Sequence, residues 1–242
     1  MEKNIYSSGE YTNKNQSYHT EDSEFKWSNF KKILKNSNIN LSNIKSILDV
    51  GCGVGEILFN AKKSNLFMNS SFVGYDINPD AIKLAKKNNN GIDFENKNFL
   101  DQTKKKDYDL ILAADVFEHI ENSYSFLKSV RNNGKYFLFN IPLEISFLSL
   151  IRNKNIFKHS YDEVGHLHFY TKKTAIITLE HCGFKILDCI YAKNRFQEIK
   201  NSLRLKKLLI SIPQYILDKF NEDLACNIFG GYSLIVLAQK NE

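Results

Sequence analysis

One run dominates what this chain can fold into: Ser46-Ile47-Leu48-Asp49-Val50-Gly51-Cys52-Gly53-Val54-Gly55-Glu56. A short apolar stretch ends in alternating glycines, and a helix-like pattern follows over Glu56–Lys63. Glycines are needed where backbone must turn sharply and approach a ligand closely, because a Cβ would clash. The helix beyond offers unpaired N–H groups and a partial positive charge. The run therefore predicts a buried strand, a ligand-cradling turn and a helix.

Spacing narrows the ligand. A dinucleotide fingerprint, Gly-x-Gly-x-x-Gly, would place its third glycine at position 56, where this chain has Glu56. A carboxylate at a helix start facing a pyrophosphate is repulsive, which disfavours NAD and FAD. A cofactor without phosphates fits better, and S-adenosylmethionine has none. The second clue is Gly74-Tyr75-Asp76-Ile77-Asn78-Pro79-Asp80, which puts an acid at the end of the next strand. A carboxylate there accepts both ribose hydroxyls. The bland alternative for Asp76 is a helix N-cap before Pro79.

Strand-like and helix-like segments alternate along the rest of the chain. Strands are expected at Ser46–Val50, Ser71–Tyr75, Ile92–Asn98, Tyr108–Ala113, Lys135–Ile141 (stopped by Pro142), Phe184–Tyr191 and Tyr232–Ala238. Helices are expected at Ser23–Leu34 (N-cap Asp22 or Ser23), Glu56–Lys63, Pro79–Lys87, Asn122–Arg131 and Thr171–His181. Alternation of this kind predicts a doubly wound parallel sheet with helices on both faces. Two segments exceed a minimal sheet, Leu143–Tyr170 and Asn194–Gly230, and long connections are usually functional. Both read as substrate-side insertions, with an oligomer contact an equal alternative for the second. The 242 residues thus divide into an arm and helix (1–45), a cofactor-binding core (46–142) and two insertions (143–170 and 194–230) within one domain.

Leu48-Asp49-Val50-Gly51-Cys52-Gly53-Val54-Gly55 and Gly74-Tyr75-Asp76-Ile77 resemble the first two motifs of class I S-adenosylmethionine-dependent methyltransferases. Asn98-Phe99-Leu100-Asp101 resembles the family's adenine-contacting turn, with Asn98 where Asp is commoner. Asp107-Tyr108-Asp109-Leu110-Ile111 resembles the fourth strand, and Asp115-Val116-Phe117-Glu118-His119-Ile120 the turn after it. Asn133-Gly134-Lys135 resembles the turn into the fifth strand. The resemblance spans residues 46–142 and implies a Rossmann-like seven-stranded sheet in order 3-2-1-4-5-7-6, with strand 7 antiparallel. It further implies that Asp49, Gly51 and Gly53 line the methionine end of S-adenosylmethionine and that Asp76 holds the ribose. Ile77 would pack on the adenine, Asn98 and the Phe99 backbone would read its edge, and Asp115 would lie beside the cofactor.

Methyl transfer is an in-line displacement in which the protein supplies alignment and, for a hydroxyl nucleophile, a base. Candidates must sit at the carboxyl ends of strands 4 and 5 or in the insertions. His119 and His166 are the candidate catalytic residues, because an imidazole can accept a proton near neutral pH. His166 and His168 alternate, so in an extended segment only one faces the site, and His166 is preferred. If Asp115, Glu118 and His119 share one helical turn, they would face the same way. With His166 they could hold Mg²⁺, Mn²⁺ or Fe²⁺. That grouping resembles the Glu-x-x-Glu-His cluster of metal-dependent ubiquinone-biosynthesis and small-RNA 2′-O-methyltransferases. The bland reading of His119 is a helix-terminus hydrogen bond without chemistry.

The acceptor is less constrained. Ala113-Ala114-Asp115-Val116 lacks the Pro-Pro-aromatic signature of nucleic-acid amino-methylation, which favours a small metabolite. The formal net charge of +6 allows an anionic partner. Only Arg131, Arg152, Arg195 and Arg204 are arginines among 33 basic residues, which disfavours nucleic acid. The stretch Tyr18–Trp27 is similar to N-terminal segments of bacterial surface-glycan methyltransferases, which suggests a sugar or glycan precursor. Leu143–Tyr170 mixes apolar side chains with Arg152, Lys154, Lys158 and His159, suiting an acceptor that is part apolar and part anionic. Ile199–Ile212 is a basic amphipathic stretch, read as a helix over the sheet with snorkelling lysines, membrane contact being the lesser alternative. The scattered cysteines and the absence of an apolar N-terminal segment predict a cytoplasmic location. An RNA 2′-O-methyltransferase with a metal-assisted site, or a non-catalytic cofactor-binding module, are the rival readings. Oligomeric state is open.

Overall fold

The computed structural model describes residues 20–101, 106–152, 156–195, 197 and 205–241. In chain order it contains α1 (Thr20–Asn36), β1 (Ser46–Val50), α2 (Glu56–Lys63), β2 (Ser71–Asp76), α3 (Pro79–Asn88), β3 (Asp93–Asn96), β4 (Tyr108–Ala114) and α4 (Ser123–Asn132). Next come β5 (Gly134–Leu143), α5 (Phe147–Arg152), α6 (Ile156–Val164), α7 (Lys172–His181), β6 (Phe184–Ala192), α8 (Leu205–Phe220), α9 (Glu222–Phe229) and β7 (Tyr232–Lys240). The strands form one sheet in the order β3-β2-β1-β4-β5-β7-β6. β1 to β5 run parallel and β7 is antiparallel to both neighbours, the topology that the sequence resemblance implies.

Successive side chains of a strand point to opposite faces, and this sorts the central strands onto two cores. Leu48, Ile111, Phe137, Phe139 and Val236 turn to a face closed by Phe126, Leu127, Val130 and Leu179 of α4 and α7. Ile47, Leu110, Leu112, Leu138 and Leu237 turn to the other face, closed by Trp27, Phe30, Leu58, Ala61 and Ile82 of α1, α2 and α3. Both faces are dry, so these strands read in the sequence as apolar runs rather than alternations. Helix α1 is an integral part of the second layer. Phe30, Ile33 and Leu34 are at most 1% exposed, and each such burial contributes about 1.5–3 kcal/mol.

Two local expectations change. Helix α1 already runs at Thr20, so Asp22 and Ser23 lie inside it and do not cap it. Pro142 does not stop β5, which continues to Leu143. The Asn140 carbonyl accepts from Asp115 N–H on the β4 side, so Pro142, two residues on, directs its missing N–H to that same flank. The β4 ladder ends at the Ala114–Asn140 pair, so no bond is lost there. The two long connections carry helices of their own, α5 and α6 in the first, α8 and α9 in the second. The arm before Thr20 and the part of the basic stretch before Leu205 lie outside the described residues.

Candidate active site

The carboxyl ends of β1, β2, β4 and β5 meet on one edge of the sheet, at the switch between β1 and β4 where such sheets bind ligands. The glycine turn is fixed to β2: Gly51 N–H and Cys52 N–H both donate to the Tyr75 carbonyl, at 2.8 and 3.1 Å. Gly53 has φ +54, and no atom lies within 4 Å of where its Cβ would stand. The turn thus leaves an open cradle lined by backbone. Gly55 has φ +84 and its missing Cβ would lie 2.5 Å from the Phe94 ring, so here glycine serves helix–strand packing instead.

Two carboxylates flank that cradle. Asp49 is 1% exposed, and neither of its oxygens has a hydrogen-bond partner among the described residues. Burial, and then the nearby Asp76, push its carboxyl well above the ordinary range, with Lys26 opposing. Asp76 is held in place by Gly53 N–H and Asn78 N–H, each donating at 2.8 Å. Burial raises its pKa while those backbone donors pull it down. The bland reading of Asp76 as a helix cap does not describe its position, because Asn78 caps α3, accepting from Asp80 N–H and Ala81 N–H. Ile77 is 36% exposed beside Asp76, an apolar surface at the cradle's rim. Asn98 is exposed and accepts from Leu100 N–H at 3.1 Å, while the Phe99 side chain is buried against Phe126. Only the backbone of Phe99 can therefore face a ligand.

Past β4 the chain turns sharply. Asp115 adopts φ +55, a left-handed conformation that places it outside the short 3-10 turn Phe117–His119. The helical-turn grouping of Asp115, Glu118 and His119 is therefore not what forms. Asp115 instead accepts from Asn140 Nδ2 at 2.5 Å and pairs with Lys26 Nζ at 2.7 Å. Glu118 is 0% exposed with neither oxygen hydrogen-bonded among the described residues, and burial followed by the Asp115 charge raises its carboxyl well above the ordinary range. Burial of this kind favours the protonated form of an acid.

The first insertion brings in the second histidine. Leu167 N–H and His168 N–H both donate to the Glu118 carbonyl, at 2.8 and 3.1 Å, stitching this segment onto the turn after β4. His166 and His168 then point apart. His168 Nε2 lies 2.9 Å from the Ile120 carbonyl, away from the site. His166 faces His119 with ring centroids 4.6 Å apart. His166 Nδ1 lies 2.7 Å from Glu144 Oε2, and Ser160 Oγ donates to Glu144 Oε1 at 2.6 Å. The carboxylate acceptor assigns the proton of that imidazole to Nδ1 and leaves Nε2 as its basic nitrogen. His119 Nδ1 lies 3.2 Å from the Gly165 carbonyl, which only accepts, so Nδ1 carries its proton too. Burial, reinforced by His166, lowers the His119 pKa to about 4, so its ring is neutral at physiological pH. Glu118, His119 and His166 can each offer one ligand atom, all within 4.8 Å of one another.

Sequence reasoning missed Lys26 and Glu144. Lys26 stands in helical register with Phe30 and Ile33 on the buried face of α1, and a lysine there signals a buried acidic partner. Glu144 directly follows β5 on the ligand-binding edge, which was signal enough. Lys158, singled out for the acceptor, sits on α6 paired with Asp162 at 2.9 Å, and the Arg152 side chain lies outside the described residues.

The methyltransferase-domain family model matches residues 41–199. The chain belongs to that family. Among curated relatives, the 235L protein of Invertebrate iridescent virus 6, which carries a methyltransferase name, is 24% identical over 143 residues. That match covers 57% of this chain, and the chain spans about half of that relative (52%). A chain of the Haloferax volcanii complex between the Trm112 methyltransferase activator and a methyltransferase superposes with TM-score 0.64 at 11% identity, covering 99% of this chain and 97% of that one. Phosphoethanolamine N-methyltransferase 2 of Haemonchus contortus, in complex with phosphomonomethylethanolamine and S-adenosylhomocysteine, superposes with TM-score 0.62 at 14% identity, covering 89% and 53%. At these identities the superpositions establish that this methyltransferase-domain protein shares their fold.

Proposed function

We propose that this protein transfers a methyl group from S-adenosylmethionine to an oxygen of a small acceptor, a sugar or phosphorylated surface-glycan precursor. The observation that carries the reading is the pairing, along one sheet edge, of an acid-flanked glycine cradle with an imidazole oriented by a carboxylate. The cradle fits this cofactor on its own chemistry. Asp49 is a buried acid with no hydrogen-bond partner among the described residues, suited to the cationic methionine end, and Asp76 offers anchored oxygens to the ribose hydroxyls. Ile77 gives the adenine an apolar face, and Asn98 with the Phe99 backbone gives its edge polar partners.

When bound, the cofactor supplies an electrophilic methyl group activated by its sulfonium. The chain's part is to align the acceptor hydroxyl and remove its proton. His166 accepts that proton at Nε2, and Glu144 fixes the ring through Nδ1 and stabilises the imidazolium that results. His119, neutral, lies against His166 and orders that side of the site. A phosphorylated small molecule suits the chain's formal net charge of +6, and the structurally similar Haemonchus protein in complex with phosphomonomethylethanolamine lends support.

A second reading rests on the Glu118, His119 and His166 grouping, which would hold a divalent cation against the acceptor hydroxyl. Release of S-adenosylhomocysteine, measured with nucleotide-sugars, quinol precursors and RNA, tests both. Turnover with a sugar acceptor that survives EDTA supports the base reading. Turnover only with RNA and added Mg²⁺ or Mn²⁺ supports the second.

A further inference from the structure

Helix α8 is inside out. Its most buried described residues are polar: Ser211, Gln214 and Asp218 are 5%, 0% and 6% exposed, with Leu217 partly buried beside them against the core. The residues it turns to solvent are large and apolar: Ile212, Tyr215, Ile216 and Phe220 are 58%, 53%, 55% and 83% exposed. An ordinary surface helix does the reverse.

The orientation is fixed by specific bonds. Gln214 accepts from Arg195 and donates from Nε2 to the Gly230 carbonyl at 3.0 Å. Asp218 accepts from Tyr232 Oη at 2.8 Å and pairs with Lys193 at 2.5 Å. Rotating the helix to bury its isoleucines would break this network and strand its partners, at about 1–3 kcal/mol for each group left buried and unsatisfied. The apolar face is therefore held outward by the fold.

Apolar side chains are also exposed elsewhere in this connection-rich part of the fold. α9 packs against both α8 and α5, and α5 exposes Leu150 and Ile151 at 58% and 60%. Scattered exposed apolar residues are ordinary, but a row of them along one helix face marks an interaction surface. Charge selects the partner. The only acid of α8 is Asp218, turned inward, whereas its sequence carries Lys206, Lys207 and Lys219. Lys219 is exposed within the apolar row, its ammonium 5.2 Å from the Tyr215 ring centroid. Lysine is depleted at the cores of protein–protein interfaces but enriched on helices that lie in anionic bilayer surfaces, beside aromatic and aliphatic anchors. The chain's net charge of +6 acts in the same direction. No described helix is long and apolar enough to cross a membrane, so contact through this face would be peripheral.

We propose that the outer face of α8 docks the protein onto an anionic lipid surface. The helix lies in the plane of the headgroups, Ile212, Ile216 and Phe220 entering the acyl boundary and Lys219 meeting lipid phosphates. The proposal stands independently of the acceptor and of the catalytic reading.

The test is flotation of the full chain with vesicles of phosphatidylcholine alone or mixed with phosphatidylglycerol. The expected result is association with the mixed vesicles, weakened by salt and much weaker on phosphatidylcholine. Ile216→Asp with Phe220→Asp should reduce that association roughly 100-fold, and Lys219→Glu about tenfold. All three positions are exposed, so unchanged circular dichroism and melting would show that the variants fold. No association with mixed vesicles, or association that the variants leave unchanged, overturns the proposal. So does a dimer in light scattering that the same substitutions dissociate, which would assign the face to a second copy of the chain.

Discussion

Replacing Asp49 with Asn should make the ligand-free protein more stable while weakening cofactor binding. The Asp49 carboxyl is 1% exposed with neither oxygen hydrogen-bonded among the described residues. An unfolded carboxyl titrates near about 3.9. Burial and Asp76 raise the folded value well above that, so the folded state binds the proton more tightly than the unfolded state. Stability from this group is then fully present below the unfolded pKa and is lost as pH rises through the folded one. At neutral pH the wild type thus carries a penalty, whose scale is that of an unsatisfied buried polar group, about 1–3 kcal/mol. Asn is neutral at every pH but keeps a polar amide, which sets the gain toward the lower end. For a domain of this size each kcal/mol raises Tm by about 2–4 °C. Scanning calorimetry at about pH 5 and about pH 8, with and without S-adenosylhomocysteine, gives the answer. The Asp49→Asn variant should melt higher than wild type at the alkaline pH, with the gap narrowing on acidification, and should lose most of the ligand-induced rise in Tm. A variant that melts lower at the alkaline pH, with its ligand response intact, would refute the reasoning.

The glycine turn makes a paired prediction. Gly53→Ala should cost only the left-handed backbone strain, about 1–2 kcal/mol, yet obstruct the open cradle and weaken S-adenosylhomocysteine binding. Gly55→Ala drives a Cβ into the Phe94 ring and should cost about 2–4 kcal/mol by denaturant unfolding, mainly as a folding defect. At the histidines, Glu144→Gln should lower kcat with little change in KM, because His166 loses the carboxylate that orients its ring. EDTA should leave that activity unchanged if His166 is the base and abolish it if Glu118, His119 and His166 hold a cation. Full activity in the His119→Ala, His166→Ala double variant would contradict both.

The parts legible in the sequence were those encoded locally. A glycine turn between an apolar run and a helix, and an acid closing the next strand, carry their geometry within a dozen residues; alternation implies a doubly wound sheet, while its strand order and antiparallel β7 came from the family resemblance. The rest depended on tertiary placement. Asp115 looks like part of a helical turn until its left-handed φ and its bonds to Asn140 and Lys26 direct it elsewhere. Glu144 and His166 are distant in sequence, and only the fold of the first insertion brings them together. Pro142 reads as a strand stop unless it is known that β4 has already ended beside it. The amphipathic pattern over Ile199–Ile212 does not show where the helix ends or which side of α8 is packed; Arg195, Lys193 and Tyr232 decide the packing, and they lie before and after it in the chain.

The central claim, that the acid-flanked cradle binds S-adenosylmethionine, is tested most directly by calorimetric titration with S-adenosylhomocysteine of the wild type and the Asp76→Ala variant. Wild type should bind. The variant, folded by its melting curve, should bind about 10- to 100-fold more weakly, the scale of a lost charge-assisted hydrogen-bond pair of about 1.5–3 kcal/mol. NAD should give no heat with either protein. Tight NAD binding with no S-adenosylhomocysteine signal, or equal affinity in wild type and variant, would contradict the account.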